Sequence, residues 1–320
     1  MKPKIYTTIP LSEKVENYIG EYCEIRKWTE DKPIPRDILL EEIKDVVGLY
    51  TTGGSIDGEL LRYASNLKIV SNVSVGYNNF DLEAMKKFNV IGTNTPYVLD
   101  ESVADLAFAL ILNIARRISE LDRMVKEGQW GKSKDDKEFF GVDVNSTKLG
   151  IIGMGRIGKA LARRAKFGFN MDVLYYNRNR KPDVEEEYGV KYADLESLLE
   201  QSDFVVLLTP LTPETYHLIG EKEFTLMKKS AFFINLSRGQ TVDEQALISA
   251  LQNSEIKGAG LDVFTKEPVE PENPLLQFNN VVVTPHIGSA TERTREDMAM
   301  RAAQNLVAVV TGKDPIDRVI

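Results

Sequence analysis

Three residues of types that serve proton transfer and anion binding each follow an apolar run in the last third of the chain. Arg238 follows FFINLS, Glu267 follows AGLDVFTK, and His286 follows VVVTP. Open α/β sheets bind ligands beyond the carboxyl ends of their strands. Imidazole can give a proton to a carbonyl oxygen, guanidinium suits a carboxylate, and a glutamate can fix the imidazole tautomer. The three residues are therefore candidate catalytic groups for chemistry at a carbonyl beside a carboxylate.

Each candidate also has an ordinary structural interpretation. His286 could be a hydrogen-bonded structural histidine, Arg238 half of a surface ion pair, and Glu267 an exposed acid before proline. His217, the only other histidine, lies mid-segment in TYHLIG without catalytic neighbours and is interpreted as structural. Catalysis is favoured because Arg, Glu and His follow successive strands.

A glycine-rich motif, Gly153-x-Gly155-x-x-Gly158, stands between the strand-like run LGII and the helix-like run RIGKALARRAKF. Glycines there permit a tight turn and close approach to a pyrophosphate, and the helix N-terminus supplies N–H groups. Such turns often serve geometry alone, but here strand, turn, helix and next strand have the expected spacing. The motif predicts a dinucleotide site whose candidate contacts include Arg156 and Ile157.

The next strand ends at Asn177, where an acidic residue would bind an adenosine ribose 2′-hydroxyl. The chain instead reads Asn177-Arg178-Asn179-Arg180-Lys181. This could be a solvated basic loop. Because the expected acid is absent where basic residues follow, we favour a cage for the 2′-phosphate of NADP, formed by Asn177, Arg178 and Arg180. NADP(H) is therefore the predicted cofactor, with NAD(H) as the alternative.

The elements that must position these residues alternate between strand and helix. Strands are predicted over 5–9, 23–28, 46–50, 68–73, 90–93, 148–152, 172–176, 204–208, 232–236, 258–263 and 281–284, with helices such as 36–44 and 81–88 between them. The later strands are continuous apolar runs, which is typical of parallel strands covered on both faces. The pattern predicts an α/β fold with two doubly wound, parallel-sheet, Rossmann-like domains separated by a cleft.

Local signals suggest where the two domains meet. Thr95-Pro96 ends a strand, Asp100 can cap a long helix over 101–119, and Ser289 has capping-box spacing to Glu292 before a helix running to about residue 310. We expect that last helix to fold back onto the first block. The predicted domains are a substrate-binding, flavodoxin-like domain of 1–99 plus 290–320 and a dinucleotide-binding Rossmann domain of 100–289.

Composition argues against several classes of protein. The 320 residues are enough for about two domains, and 40 Lys and Arg against 48 Asp and Glu leave a net charge of −8. Such a surface repels nucleic acid and anionic lipid. Cys23 is the only cysteine, so no internal disulfide or thiolate metal cluster is expected. No signal peptide or membrane span is recognised, and a cytoplasmic protein is expected. The charged stretch 132–138 is interpreted as a solvated loop.

Taken together, the motifs resemble the D-isomer-specific 2-hydroxyacid dehydrogenase family over essentially the whole chain. The matching segments are SNVSVGYNNFD, TNTPYVLDESVADLAFALIL, LGIIGMGRIGKALA, LLTPLTPETYHLI, INLSRGQTVDEQAL, GAGLDVFTKEP and VVVTPHIGSAT. The resemblance implies that Arg238, Glu267 and His286 form a catalytic trio. It also implies that Val75-Gly76 offers backbone N–H groups to the substrate carboxylate, where a mere tight turn is the alternative. Further cofactor contacts are implied at Thr209, Pro210, Thr215, Leu236, Ser237, Arg238, Asp262, His286 and Gly288.

Within the family, the chain is most similar to glyoxylate and hydroxypyruvate reductases, including 2-ketogluconate reductases. The resemblance implies NADPH-dependent reduction of small 2-oxo acids to D-2-hydroxy acids by a homodimer whose interface includes the 101–119 helix. One alternative is an NAD-dependent phosphoglycerate-type dehydrogenase. A second alternative is a nucleotide-sensing corepressor, which the turnover of any 2-oxo acid would argue against. Trp130 is a candidate counterpart of a tryptophan that limits substrate size in some members, although ordinary packing is the preferred interpretation.

Overall fold

The computed structural model describes residues 2–132 and 135–320, which form two compact units. One unit combines the chain up to Leu99 with Ala290–Ile320, and the other is Asp100–Ser289. Each unit contains its own parallel sheet, of five and of seven strands. The expected α/β fold with two parallel-sheet domains is confirmed.

Strands and helices alternate along the chain. The strands are β1 Lys4–Thr7, β2 Glu24–Lys27, β3 Gly48–Thr51, β4 Ile69–Asn72, β5 Ile91–Thr93, β6 Lys148–Ile152, β7 Asp172–Tyr176, β8 Lys191–Tyr192, β9 Phe204–Leu207, β10 Phe232–Asn235, β11 Gly258–Leu261 and β12 Val281–Val283. The α-helices are α1 Glu13–Tyr22, α2 Arg36–Glu42, α3 Gly58–Tyr63, α4 Leu82–Lys87, α5 Asp100–Arg116, α6 Ile118–Lys126, α7 Arg156–Phe169, α8 Pro182–Tyr188, α9 Leu195–Gln201, α10 Glu221–Leu226, α11 Glu244–Gln252 and α12 Glu292–Val310. Short 3-10 helices lie at Trp130–Lys132, Asp136–Phe139, Gly239–Thr241 and Pro274–Gln277.

The first unit has strand order β2-β1-β3-β4-β5, and the pairs are parallel. Side chains alternate between the two faces of a strand. Tyr50 and Ser71 face α12, where their hydroxyls donate to backbone carbonyls at 2.8 Å. Their neighbours Leu49 and Val70 join the opposite core with residues of α2, α3 and α4. Both faces of this sheet are therefore covered.

The second unit has strand order β12-β11-β10-β9-β6-β7-β8, again with parallel pairs. Helix α5 packs against α7 and against β10, β11 and β12. On the face of the sheet opposite α5, the strands pack into a large apolar cluster that includes Phe224, Phe233 and Leu247. The edge strand β8 was not predicted, because its two residues are exposed and carry no apolar run.

The long helix predicted over 101–119 is wrong at both ends. Helix α5 ends at Arg116, and Arg117 takes a left-handed conformation before α6 begins. The break is stabilised by side chains: Asn113 accepts from the Ser119 N–H at 2.9 Å, and Arg117 binds Glu120. Such local bonds compete with continuation of a helix. At the other end, Asp100 lies inside the first turn instead of capping it.

Two further local predictions are corrected. Thr291 caps α12, accepting from the Thr294 N–H at 3.1 Å, so the Ser289–Glu292 spacing is not a capping box. Trp130 is 66% exposed and is not a core packing residue. In the charged stretch 132–138, Asp136–Phe139 form a 3-10 helix, while Ser133 and Lys134 lie outside the described residues. None of the helices in the described ranges has the length and apolar character that a membrane span requires.

Candidate active site

His286 and Glu267 form a direct pair at the carboxyl end of the larger sheet. Nδ1 of His286 lies 2.8 Å from Oε2 of Glu267, and Oε1 of the same carboxylate accepts from the Phe264 N–H at 3.0 Å. Burial acts to raise the pKa of Glu267, but the bonds from His286 and Phe264, with the charge of Arg238, bring that pKa below its usual range. A charged carboxylate on Nδ1 orients the ring and leaves Nε2 for proton transfer.

The loop carrying His286 is braced by Asp262, the buried residue that follows β11. Its carboxylate accepts from the Thr284 hydroxyl at 2.7 Å and from the N–H groups of Ile287 and Gly288 at 2.8 and 2.9 Å. His286 itself has a left-handed backbone, with φ of 53°. Three hydrogen bonds thus hold an otherwise uncommon conformation at this residue. The family resemblance predicted Asp262 and Gly288 as cofactor contacts but not this bracing role, for which a lone acid directly after a buried strand was the available signal.

Arg238 lies on the neighbouring loop, three residues after the end of β10. Its Nη1 donates to the Ser237 carbonyl at 2.8 Å, and its own carbonyl accepts from the Thr241 hydroxyl at 2.6 Å. Gly239 is needed here, since a Cβ atom would overlap the backbone of Phe264. The Arg238 loop therefore lies directly against the loop that leads to Glu267. Burial lowers the pKa of Arg238 while Glu267 opposes that shift, and an arginine remains charged in proteins.

The glycine motif fits a bound pyrophosphate. Gly153 has φ of 109°, and a Cβ there would lie 2.9 Å from the Leu208 carbonyl carbon, while a Cβ at Gly158 would overlap the Gly153 carbonyl oxygen. Gly155 has open space around it and caps α7 without a side-chain hydrogen bond. The first N–H groups of α7 are thus available to an anion. Arg156 donates to Asp100 at 3.1 Å.

The other implied cofactor contacts also lie at the carboxyl ends of strands. Thr209 and Pro210 follow β9, and the Thr215 hydroxyl donates to the Pro210 carbonyl at 2.6 Å. The Ser237 hydroxyl donates to the Thr209 carbonyl, and the Thr209 hydroxyl is buried without a hydrogen-bond partner among the described residues. Leu236 is buried beside Ser237. A buried unpaired hydroxyl is costly, and a bound ligand would satisfy it.

The loop after β7 differs from the expectation at one position. Asn177 donates to the Asn179 carbonyl at 2.8 Å, and Arg178 is exposed. Arg180, however, binds both oxygens of Glu185, at 2.8 and 2.7 Å. The hydrogen bonds from Arg180 and Tyr175 lower the pKa of Glu185 to about 2. Arg180 is thus already engaged with a carboxylate of its own chain, which leaves Arg178 as the better candidate for a phosphate.

In the first unit, the Val75-Gly76 loop is held by its carbonyl groups. Asn72 donates to the Gly76 carbonyl and Asn94 to the Val75 carbonyl, both at 2.9 Å. Among the described residues, the N–H groups of this loop have no acceptor in the structure. Elsewhere, His217 is exposed, and its ring stacks on that of Tyr216 with the ring centroids 4.1 Å apart. The backbone N–H of His217 donates to the Gln240 carbonyl. No catalytic partner is found for His217 among the described residues.

Comparison with known proteins places this site in a family. Residues 108–288 match the model of the D-isomer specific 2-hydroxyacid dehydrogenase, NAD binding domain. The chain belongs to this family. It is therefore an oxidoreductase with a nicotinamide dinucleotide domain, as the sequence motifs predicted.

Relatives within the D-isomer specific 2-hydroxyacid dehydrogenase family extend over nearly the whole chain. The chain is 49% identical to a glyoxylate reductase from Thermococcus litoralis, covering 98% of this chain and 96% of the relative. It is 45% identical to glyoxylate/hydroxypyruvate reductase B from Enterobacter sp., with 98% and 96% covered. A solved NADPH-dependent glyoxylate/hydroxypyruvate reductase from Sinorhizobium meliloti, in complex with NADP and malonate, superposes with a TM-score of 0.87 at 31% identity, covering 100% of this chain and 97% of the other.

Proposed function

We propose that this protein reduces small 2-oxo acids, chiefly glyoxylate and hydroxypyruvate, to D-2-hydroxy acids with NADPH. The observation that carries the proposal is the 2.8 Å pair of His286 and Glu267 lying beside the Arg238 loop. A proton donor, its orienting carboxylate and a carboxylate-binding cation are what reduction of a 2-oxo acid requires. The names of the relatives support the same substrate class.

The catalytic residues have separate roles in this proposal. When bound, the nicotinamide supplies the hydride that reaches the carbonyl carbon. His286 donates a proton from Nε2 to the carbonyl oxygen, and Glu267 stabilises the imidazolium beforehand. Arg238 stabilises negative charge developing on that oxygen and orients the substrate carboxylate. The free N–H groups of Val75 and Gly76 are a further proposed contact for a carboxylate.

Cofactor preference is proposed from the loop after β7. Asn177 does not repel a 2′-phosphate as an aspartate would, and the exposed Arg178 can form charge-assisted hydrogen bonds to it. Because Arg180 is bound to Glu185, and because an exposed site is screened by water, we expect about 1–2 kcal/mol in favour of NADPH. That corresponds to a ratio of about 5 to 30 in kcat/KM over NADH.

A substrate panel tests this function. The purified protein is assayed with glyoxylate, hydroxypyruvate, 2-ketogluconate and phosphohydroxypyruvate, each with NADPH and with NADH. We expect the first two with NADPH to give the highest kcat/KM, and D-glycerate as the product from hydroxypyruvate. A higher kcat/KM for the phosphorylated substrate with NADH would instead support a phosphoglycerate-type dehydrogenase. Absence of turnover with all four would support a binding protein of the corepressor kind.

Two accompanying predictions concern assembly and location. The family resemblance predicts a homodimer whose interface includes α5, which analytical ultracentrifugation would test. The composition predicts a cytoplasmic protein, which fractionation of the source cells would test. Both stay predictions alongside the proposed activity.

A further inference from the structure

A buried asparagine on α12 collects four hydrogen bonds. Oδ1 of Asn305 accepts from the N–H groups of Ile316 and Asp317 at 2.8 and 3.0 Å, and Nδ2 donates to Asp317 Oδ2 at 3.0 Å and to the Asn94 carbonyl at 3.3 Å. Asn305 is fully buried. An amide has two donors and two acceptor positions, so every one is used. Asn305 therefore fixes the C-terminal tail and the end of β5 at a single point.

The tail is fixed a second time by an ion pair. Arg301, one turn earlier on α12, binds both carboxylate oxygens of Asp317 at 2.6 and 2.9 Å. The Asp317 side chain is only 4% exposed and that of Arg301 27%. A forked pair of this kind is geometrically specific. Beyond it, Val319 donates to the Gly92 carbonyl at 2.8 Å, so the tail lies along β5.

The end of β5 in turn holds the Val75-Gly76 loop. Asn94 follows β5, and its side chain donates to the Val75 carbonyl at 2.9 Å. The Thr95 N–H donates to the Ser74 carbonyl at 3.0 Å. A continuous series of hydrogen bonds therefore runs from Arg301 through Asp317, Asn305 and Asn94 to the loop proposed to bind the substrate carboxylate.

We propose that Arg301, Asn305 and Asp317, acting through Asn94, are positioning residues for 2-oxo acid binding. They hold the Val75-Gly76 loop by its carbonyl side, which keeps its N–H groups directed to an anion. The inference rests on the function proposed above. Ordering the tail alone would need neither the bond from Asn305 to the Asn94 carbonyl nor the bond from Asn94 to Val75. A small misplacement of a binding loop is enough to weaken substrate binding strongly.

Steady-state kinetics with glyoxylate and NADPH test the proposal in Asn94→Ala, Arg301→Met and Arg301→Lys. We expect KM for glyoxylate to rise about tenfold in the first two, with kcat changed less than about threefold, which is the pattern of lost uniform binding. Arg301→Lys keeps the positive charge but lacks the guanidinium group that binds both carboxylate oxygens of Asp317, so it should give an intermediate KM. The NADPH dissociation constant, read from fluorescence, should not change in any of them.

Tyr50→Phe is the matched control, since Tyr50 also donates from the sheet to a carbonyl on α12, at 2.8 Å. It should leave KM unchanged even if it lowers Tm. If Arg301→Met fails to fold, Arg301→Lys still tests the link from the tail, and Asn94→Ala tests the bond to the Val75-Gly76 loop. The proposal is overturned if the folded variants keep KM within about twofold of wild type, or if Tyr50→Phe raises KM as much.

Hydrogen exchange of the peptide covering 72–76 separates this proposal from the proposed activity. Exchange there should be faster in Asn94→Ala and Arg301→Met than in wild type and Tyr50→Phe. Unchanged exchange overturns the positioning role whatever the enzyme reduces. If wild type reduces no 2-oxo acid while exchange rises as expected, the proposed function fails and the mechanical link from tail to loop is retained.

Discussion

The loops at the carboxyl edge of the larger sheet are held in two different ways. Those after β10, β11 and β12 are braced by buried groups: Asp262 bonds the His286 loop three times, and Gly239 lets two loops touch. The loop after β7 is exposed and is organised by the surface pair of Arg180 and Glu185, whose arginine side chain is 64% exposed. The first region is rigidly specified, and the second is exposed to water and salt.

This contrast separates chemistry from cofactor selection. In the proposed reaction, proton transfer depends on sub-ångström placement of His286, which buried hydrogen bonds can supply. Discrimination between two dinucleotides needs only a modest energy difference, which an exposed arginine can supply even after screening. Changes in the first region should therefore have larger effects than changes in the second.

The largest effect is expected from removing the proposed proton donor. His286→Ala should lower kcat for glyoxylate by at least about 100-fold, since the imidazole paired with Glu267 is the group proposed to donate the proton. NADPH affinity, measured by fluorescence titration, should change little. His217→Ala is the control and should behave as wild type. Equal kcat values in the two variants would show that His286 is not the donor.

The next largest effect is expected from disturbing the close contact between the loops after β10 and β11. Gly239→Ala should lower the free energy of unfolding by about 2 kcal/mol or more, because the new methyl group overlaps the Phe264 backbone. Gly168 lies at an exposed position of α7, where an added Cβ atom would meet nothing within 4 Å. Gly168→Ala should therefore not lower the free energy of unfolding and can raise it by about 0.5 kcal/mol. Urea denaturation compares the two. Similar destabilisation by both substitutions would contradict the close approach.

A smaller effect is expected at Glu267, and it depends on pH. Because the pKa of Glu267 is lowered in the folded protein, the stability that its bonds contribute is present above the ordinary pKa and is lost as pH falls through the lowered value. Glu267→Gln removes the charge that favours imidazolium, so kcat/KM for reduction should fall about tenfold at neutral pH.

The pH profile of the same variant provides the sharper measurement. The advantage of wild type over Glu267→Gln should shrink as the pH falls through the lowered pKa of Glu267, because a protonated carboxyl group no longer supplies the negative charge. Wild type and variant are compared from acid to alkaline pH with saturating NADPH. If Glu267→Gln lowers the activity by the same factor at every pH, the role of Glu267 is only to orient the imidazole ring.

The smallest effect is expected on the exposed loop after β7. Arg178→Ala should lower the NADPH-over-NADH ratio of kcat/KM by about fivefold, and Arg180→Ala by less than about twofold, because Arg180 is paired with Glu185. Added salt should shrink the wild-type ratio further. A larger loss in Arg180→Ala would mean that the pair with Glu185 opens when the cofactor binds.

Much of the fold could be read from the sequence because each parallel strand is a short apolar run between helical segments. β6 and β7 have the predicted bounds, and most other strands end one or two residues earlier than predicted, while β5 ends as predicted and β3 one residue later. Errors arose where side chains competed with the backbone or with one another. Asn113 and Arg117 break a helix that apolar periodicity would extend, and Thr291 caps α12 in place of Ser289. The periodicity of apolar residues does not reveal these competing hydrogen bonds.

The sequence by itself determined the glycine motif, the loss of an acid at Asn177 and the order of Arg238, Glu267 and His286 along successive strands. Only the tertiary structure decided which partners these groups take. It paired Glu267 with His286, assigned Asp262 to the His286 loop and gave Arg180 to Glu185. The sequence determines residue types and strand order, whereas hydrogen-bond partners depend on distances of a few ångströms between side chains, which only packing sets.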